Sequence, residues 1–318
     1  MARRKPPQVH GLLVIDKPAG ITSHDVVDRV RKRLGERRVG HAGTLDPDAT
    51  GVLVIGVGNA TRLMRFMDLV NLDGRMVSRK SYTGTVVLGT ETSTLDAAGD
   101  VTATHDMGDV IARLDRPDGR AHVQAVIDAN LVGDIMQVPP MVSAIRVDGK
   151  RLHELAREGV EVEREPRPVT VFSFVVTAVA GNTIDIDVTC SSGTFIRTLA
   201  ADLGRLLGGG AHLRDLRRTS VGAFTIAEAA SVDDAPLLPV EEAVRALSAF
   251  RRTGEDAVSL RASAATGKIL PESTFAGPEP WAAFADGTLL AVYESFSNER
   301  VGSGMARPAV SLGAPASS

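Results

Sequence analysis

Sulfur, aromatic rings and long apolar stretches are all scarce in this chain. Among its 318 residues there is one cysteine, Cys190, so no intrachain disulfide can close and no second Cys offers zinc-ligand spacing. A cytoplasmic location is the default for such a chain. Aromatic residues make up 4%, so Val, Leu, Ile and Ala must build the core. No run approaches the roughly 18–20 apolar residues that a membrane span needs. The start, MARRKPPQ, is basic as a secretory leader's would be. Its next apolar run, Leu12-Leu13-Val14-Ile15, is ended by Asp16-Lys17-Pro18 and is too short for a leader's apolar segment. Charge of one sign is missing too: 36 Lys plus Arg against 39 Asp plus Glu leave a formal −3. That total neither favours nor opposes a nucleic-acid partner; clustering decides. With 43% hydrophobic and 24% charged residues, a wholly disordered chain is excluded. At roughly 150 residues per domain the length suggests about two domains.

Residues 11–15 read as a short buried strand. Thr22-Ser23-His24-Asp25 has capping-box spacing, and Val26, Val27, Val30 and Leu34 follow at helical intervals. Arg29, Arg31, Lys32, Arg33, Arg37 and Arg38 set six bases against Glu36 within residues 29–38, the densest positive cluster in the chain. Residues 40–51 read as a loop, 52–55 as a strand and 59–69 as a helix. Residues 71–80 read as an exposed connection, 82–88 as a strand, 90–108 as loop and 123–132 as a helix. Ile184, Ile186, Val188 and Cys190 alternate with polar residues, the mark of a half-buried strand. Ser191 to Thr194 is expected to cap an amphipathic helix over 196–207, which Gly208-Gly209-Gly210 ends. A helix is expected near 240–249, a small β domain over 256–312 and a disordered tail over 313–318. No internal repeat is visible. Strands and helices intersperse without βαβ regularity and several strands are Thr-rich, so the expected class is α+β with a mixed, mainly antiparallel sheet.

The most informative stretch is Gly40-His41-Ala42-Gly43-Thr44-Leu45-Asp46-Pro47-Asp48-Ala49-Thr50-Gly51. Pro47 biases Asp46 toward extended backbone. By composition alone Asp46 reads either as an Asx-turn residue satisfying local amides or as a working carboxylate. Tyr82, Arg197, Leu216 and Lys17 likewise read by position as a half-buried ring, a helix charge, a core leucine and a surface lysine.

This stretch follows Asp16-Lys17-Pro18-Ala19-Gly20-Ile21-Thr22-Ser23, and the pair resembles the bacterial tRNA pseudouridine synthase B family, with its DKPxGxTS and GHxGTLDPxAxGVL signatures in order. Lys80-Ser81-Tyr82, Leu88-Gly89 with Thr92, Thr94 and Asp96, Gln137-Val138-Pro139-Pro140, Ser143-Ala144, Cys190 to Arg197 and Leu216 to Thr219 extend the likeness over about 11–224. Phe195 and Val142 stand where Tyr is usual, Arg146 replaces a Lys, and residues 71–79 look longer than typical.

The resemblance implies a pseudouridine-synthase-like α+β catalytic domain over 1–250, and a PUA-like β domain over 251–318 that contacts the tRNA acceptor stem. It implies isomerisation of uridine 55 in the T-loop of tRNA. That reaction changes no oxidation state, so no cofactor is expected, and no metal. It implies Asp46 as nucleophile, Arg197 as the guanidinium that keeps it ionised, and Tyr82 as the residue stacking on the flipped uracil and handling the C5 proton. His41 fills the space of the extruded base, Leu216 packs near the uracil, Lys17 braces the loop, and Gly43 and Thr44 meet the substrate. The basic stretches 29–38, 75–80, 146–151 and 214–218 are candidates for phosphate contact. tRNA is the expected partner, with no membrane, no protein partner and a monomeric state.

Two rivals remain at this level. One is a non-catalytic RNA-binding or RNA-folding protein, which the same fold and basic patches would serve. The other is a nucleotide-binding oxidoreductase, suggested by Gly56-Val57-Gly58, half of a dinucleotide fingerprint with its third glycine missing.

Overall fold

A computed structural model describes residues 6–143, 145–147, 149–160, 162–298, 300 and 302–312. The basic start up to Lys5 and the expected tail 313–318 lie outside the described residues. The chain is α+β and divides into two compact units. One comprises residues 1–47, 51–79 and 220–318, the other residues 48–50 and 80–219.

The first unit opens with β1 (Gly11–Lys17), α1 (Ser23–Leu34), β2 (Val39–His41) and β3 (Thr50–Val57). β1 runs antiparallel to β3, Gly11 opposite Val57 and Lys17 opposite Gly51, and β2 pairs β3 with His41 opposite Ile55. The apolar run 11–15 is buried throughout, as its composition demands. The expected capping box is present: Asp25 N–H donates to the Thr22 hydroxyl at 3.1 Å, and Thr22 N–H donates to the Asp25 carboxylate at 2.8 Å. β1 also exchanges backbone bonds with a later segment, Leu12 with Leu238 and Asp16 N–H to Ala230 O.

The expected helix over 59–69 is instead two short 3₁₀ turns, Gly58–Arg62 and Met64–Phe66. Leu63, Phe66 and Met67 still reach the core beside Leu12, Val14, Val52 and Val54, so the apolar face matches expectation and the winding does not. Gly58 opens the first turn. It has φ +60°, and a Cβ there would lie 2.2 Å from Val9 O. The close approach of this chain's own backbone accounts for the glycine that suggested a dinucleotide site. Residues 71–80 prove to hold a hairpin rather than a plain connection, Leu69–Leu72 against Arg75–Ser78. Asp73 and Gly74, at φ 50° and 81°, form its turn.

The second unit contains β4 (Lys80–Leu88), α2 (Gly119–Asn130), β5 (Gly133–Gln137), β6 (Arg167–Ala180), β7 (Thr183–Cys190), α3 (Ile196–Leu206) and β8 (Ala211–Val221). Its strands lie in the order β8-β4-β7-β6-β5. β7 shows the expected alternation, with Ile184, Ile186 and Val188 buried. α2 starts at Gly119, before its expected beginning, buries Val123 and Ile127, and bonds to β6 through Gln124. Within 90–108, expected as loop, Thr90–Thr92 pairs Val101–Thr104.

The first unit resumes after β8. The expected helix near 240–249 is a 3₁₀ turn, Val240–Val244, followed by strand β9 (Ser248–Arg252). β9, α4 (Gly254–Thr266), β10 (Trp281–Ala285), β11 (Thr288–Asn298) and β12 (Gly302–Ser311) complete the chain. The sheet runs β9-β10-β11-β12, with Leu270–Pro271 on its far edge, and β9 is parallel to β10. A boundary at 250/251 would cut β9. α4 has end signals, Thr253 before it, Glu255 and Asp256 in its first turn and Gly267 after it, but its buried residues are Ala257, Leu260, Ser263 and Ala264, too small and mixed for a clear apolar stripe. The chain's one tryptophan, Trp281, stacks on Phe275 here at 4.8 Å between ring centres. Among the described residues no helix is long and apolar enough to cross a membrane.

Candidate active site

The loop between β2 and β3 carries Gly43, Thr44 and Asp46. Gly43 has φ +99°, a backbone conformation that glycine alone adopts without strain. His41 is the last residue of β2 and is half-buried, as is Asp46. Thr44 is exposed.

Asp46 sits between two fixed neighbours. Before it, Leu45 is buried, its N–H donating to Ser23 Oγ at 2.8 Å and its carbonyl accepting from the same hydroxyl at 3.0 Å. After it, Pro47 O accepts from Gly20 N–H at 3.0 Å and from Lys17 Nζ at 2.8 Å. Lys17 is fully buried, and its ammonium donates to three carbonyls, Pro18, Ile21 and Pro47, each at 2.8 Å. A buried cation is tolerable only where its donors are met. These contacts tie the end of β1 and the first turn of α1 to the Asp46 loop, all within the first unit.

Tyr82, Arg197 and Leu216 lie in the second unit. Tyr82 is a buried residue of β4, opposite Val188. Two residues on, Gly84 leaves space for β8: a Cβ there would lie 3.2 Å from Leu213 Cδ1 and 3.7 Å from Leu216 Cα. Leu216 is half-buried and follows Asp215, which has φ 55°. Arg197, 4% exposed, is the second residue of α3. Its Nη1 donates to Thr94 O at 2.7 Å, its Nη2 to Val142 O at 2.9 Å, and Nη1 lies 3.5 Å from the Asp96 carboxylate. Asp96 in turn accepts from Thr94 Oγ1 at 2.5 Å and from Ala98 N–H at 3.1 Å.

The start of α3 departs from expectation. Its N-cap is Phe195, without a side-chain cap, and Ser191 Oγ accepts from Thr170 N–H of β6. Gln137, 2% exposed, does the holding: its Oε1 accepts from Phe195 N–H at 2.8 Å and its Nε2 donates to Phe195 O at 3.0 Å. Cys190, opposite Lys80, is buried, which pushes its thiol up to about 11 and leaves it an inert neutral group.

Comparison with known proteins decides what this loop belongs to. Residues 31–196 match the model for the TruB family pseudouridylate synthase N-terminal domain, and 197–237 that for the tRNA pseudouridylate synthase B C-terminal domain.

The chain belongs to the TruB family.

Relatives named tRNA pseudouridine synthase B include one from Arthrobacter sp. (strain FB24), 44% identical over 89% of this chain and 92% of that protein. Another, from Nocardia farcinica (strain IFM 10152), is 46% identical over 92% of this chain and 91% of that protein. Among solved structures, a Cbf5-Nop10-Gar1 complex matches with a TM-score of 0.67 at 23% identity, covering 95% of this chain and 84% of that one. An H/ACA RNP bound to a substrate RNA containing 2'-deoxyuridine matches at 0.65 and 22%, covering 96% and 85%. At such identity these likenesses concern the fold alone.

Sequence reasoning gives no role in this TruB-family chain to Ser23, Asp96 or Gln137. Each stands inside a family motif, yet nothing in a linear sequence marks a serine at a helix start as the partner of a loop 22 residues on. The basic cluster at 29–38 also divides. Arg33 donates to Val232 O and Ala235 O, and Arg31 to Val39 O, so both serve the fold. Arg29, Lys32, Arg37 and Arg38 are exposed. Lys80 and Arg218 are buried, and the Arg146 and Arg151 side chains lie outside the described ones. Among the described residues, no group of three or more His, Cys, Asp or Glu could hold a metal.

Proposed function

We propose that this TruB-family protein converts uridine to pseudouridine at position 55 in the T-loop of tRNA, with Asp46 as nucleophile. Family membership supports the tRNA uridine isomerisation, as do relatives named tRNA pseudouridine synthase B that align over about nine-tenths of the chain. The observation that carries the role of Asp46 is its mounting: a half-buried carboxylate whose neighbours on both sides are tied down by buried side chains. Such rigidity suits a group that must meet a reacting atom in one geometry.

In the reaction the N1–C1′ bond breaks and a C5–C1′ bond forms. C5 gives up a proton, N1 ends protonated, and no electrons are gained or lost. The uridine must leave its stack first, at a cost of a few kcal/mol. In this reading Arg197, whose guanidinium donates to the Thr94 and Val142 carbonyls, supplies the positive charge that favours an ionised nucleophile. Tyr82 stacks on the extruded uracil and handles the C5 proton, and Leu216 packs against the ring. His41 occupies the vacated space, and Gly43 and Thr44 meet the RNA backbone. Arg29, Lys32, Arg37 and Arg38 meet phosphates.

The test is incubation with an unmodified tRNA transcript, with pseudouridine mapped at single-nucleotide resolution. Product at position 55 with wild type, and none with an Asp46→Asn variant that still binds tRNA, is the expected result. Product formation by Asp46→Asn would remove the carboxylate from the mechanism. Binding without product in wild type would favour a purely RNA-folding role.

A further inference from the structure

We propose that Ser23 is a positioning residue for Asp46, acting through the peptide bond that leads into it. The proposal rests on the reading of Asp46 as nucleophile. Ser23 is the first residue of α1 and is 2% exposed. Its hydroxyl spends both its proton and a lone pair on one residue, donating to Leu45 O at 3.0 Å and accepting from Leu45 N–H at 2.8 Å. Leu45 O is the carbonyl of the Leu45–Asp46 peptide, so the plane of that peptide is fixed directly. On the far side Lys17 and Gly20 hold Pro47 O. The backbone around Asp46 is thus pinned on both flanks, leaving chiefly side-chain torsions to set where the carboxylate points.

Ser23 is not needed for the helix. The cap is made by Thr22 with Asp25, and alanine at a first-turn position is a good helix former. The two duties therefore sit on adjacent residues: Thr22 serves the stability of α1, and Ser23 serves the loop. Losing the Ser23 hydroxyl would leave two backbone groups of a buried residue without this partner and let the Asp46 peptide tilt.

The experiment compares Ser23→Ala with Thr22→Ala. For each, the melting temperature, the Kd for an unmodified tRNA transcript and the single-turnover rate of pseudouridine formation are measured. Ser23→Ala is expected to slow the single-turnover rate by about 10- to 100-fold, with Kd held within about twofold. Thr22→Ala is expected to lower the melting temperature with the rate unchanged. Ser23→Cys, a fallback of nearly the same size and weaker hydrogen bonding, is expected to be slowed less than Ser23→Ala. The proposal is overturned if Ser23→Ala reacts at the wild-type rate. It is also overturned if both variants lose rate in proportion to their loss of melting temperature, or if rate and tRNA affinity fall together. Asp46→Asn in the same assay separates the two claims. A wild-type rate there removes the nucleophile reading and this inference with it, whereas an inactive Asp46→Asn beside a fully active Ser23→Ala removes this inference alone.

Discussion

Lys17 places an ammonium where no water reaches it and meets it with three carbonyls. Replacing it with Met keeps the stem and removes the donors, leaving those carbonyls without the charge they face. We expect Lys17→Met to lose about 3 kcal/mol of stability in urea denaturation, and pseudouridine formation to fall as the Pro47 side of the loop loosens. Cys190 allows a prediction in pH. Burial raises its thiol from 9.0 to about 11, so the folded chain holds this proton where the unfolded chain releases it. The stabilisation is complete below pH 9 and is lost as pH rises from 9 to 11. Over that rise in pH, Cys190→Val should therefore lose less stability than wild type. Parallel loss in the two proteins would contradict the shift. A thiol reagent at mildly alkaline pH should leave the native chain unlabelled and label it in denaturant.

At the scale of elements, α3 begins at a residue held by Gln137 rather than by its own cap. Gln137→Ala should cost about 1–2 kcal/mol in urea denaturation and should reduce turnover, because Arg197 lies two residues on from Phe195. Some of these elements are legible in the sequence and others are hidden for physical reasons. β7 is readable because one face is buried and the residues alternate to match. α1 is readable because its capping box is made by residues three apart. The turns at 58–66 are not, since a 3₁₀ turn buries the same Leu63, Phe66 and Met67 that an α-helix would. α4 is hidden because alanines bury without marking a stripe. The hairpin at 69–78 is masked by its polar, basic strands, although Asp73-Gly74 is a recognised turn pair. The candidate site is legible as motifs but not as contacts. Lys17 donates to Pro47 O across 30 residues, and Ser23 and Gln137 bond across 22 and 58, spans that no motif marks.

At the scale of the molecule, charge works by placement, since the total is only −3. Arg33, Arg37 and Arg38 are all exposed, but the Arg33 guanidinium donates to two carbonyls of the first unit. Arg37→Glu with Arg38→Glu should weaken tRNA binding. It should also flatten the dependence of log Kd on log salt by about one for each phosphate no longer neutralised, read by titration at several NaCl concentrations. Arg33→Glu should act chiefly on stability, by thermal melting. The first unit is also assembled from distant parts of the chain, since Leu12 and Asp16 bond to Leu238 and Ala230. During synthesis the stretch from Lys80 to Thr219 is available to fold while it emerges, and β1 has β3 as an early partner, whereas its bonds to Ala230 and Leu238 wait for residues made more than two hundred positions later. The Asp46 loop needs none of those late residues for the contacts that hold it: Lys17, Gly20 and Ser23, with β1 on β3, all lie within the first 57 residues, so the candidate catalytic carboxylate has its mounting encoded in one short early stretch.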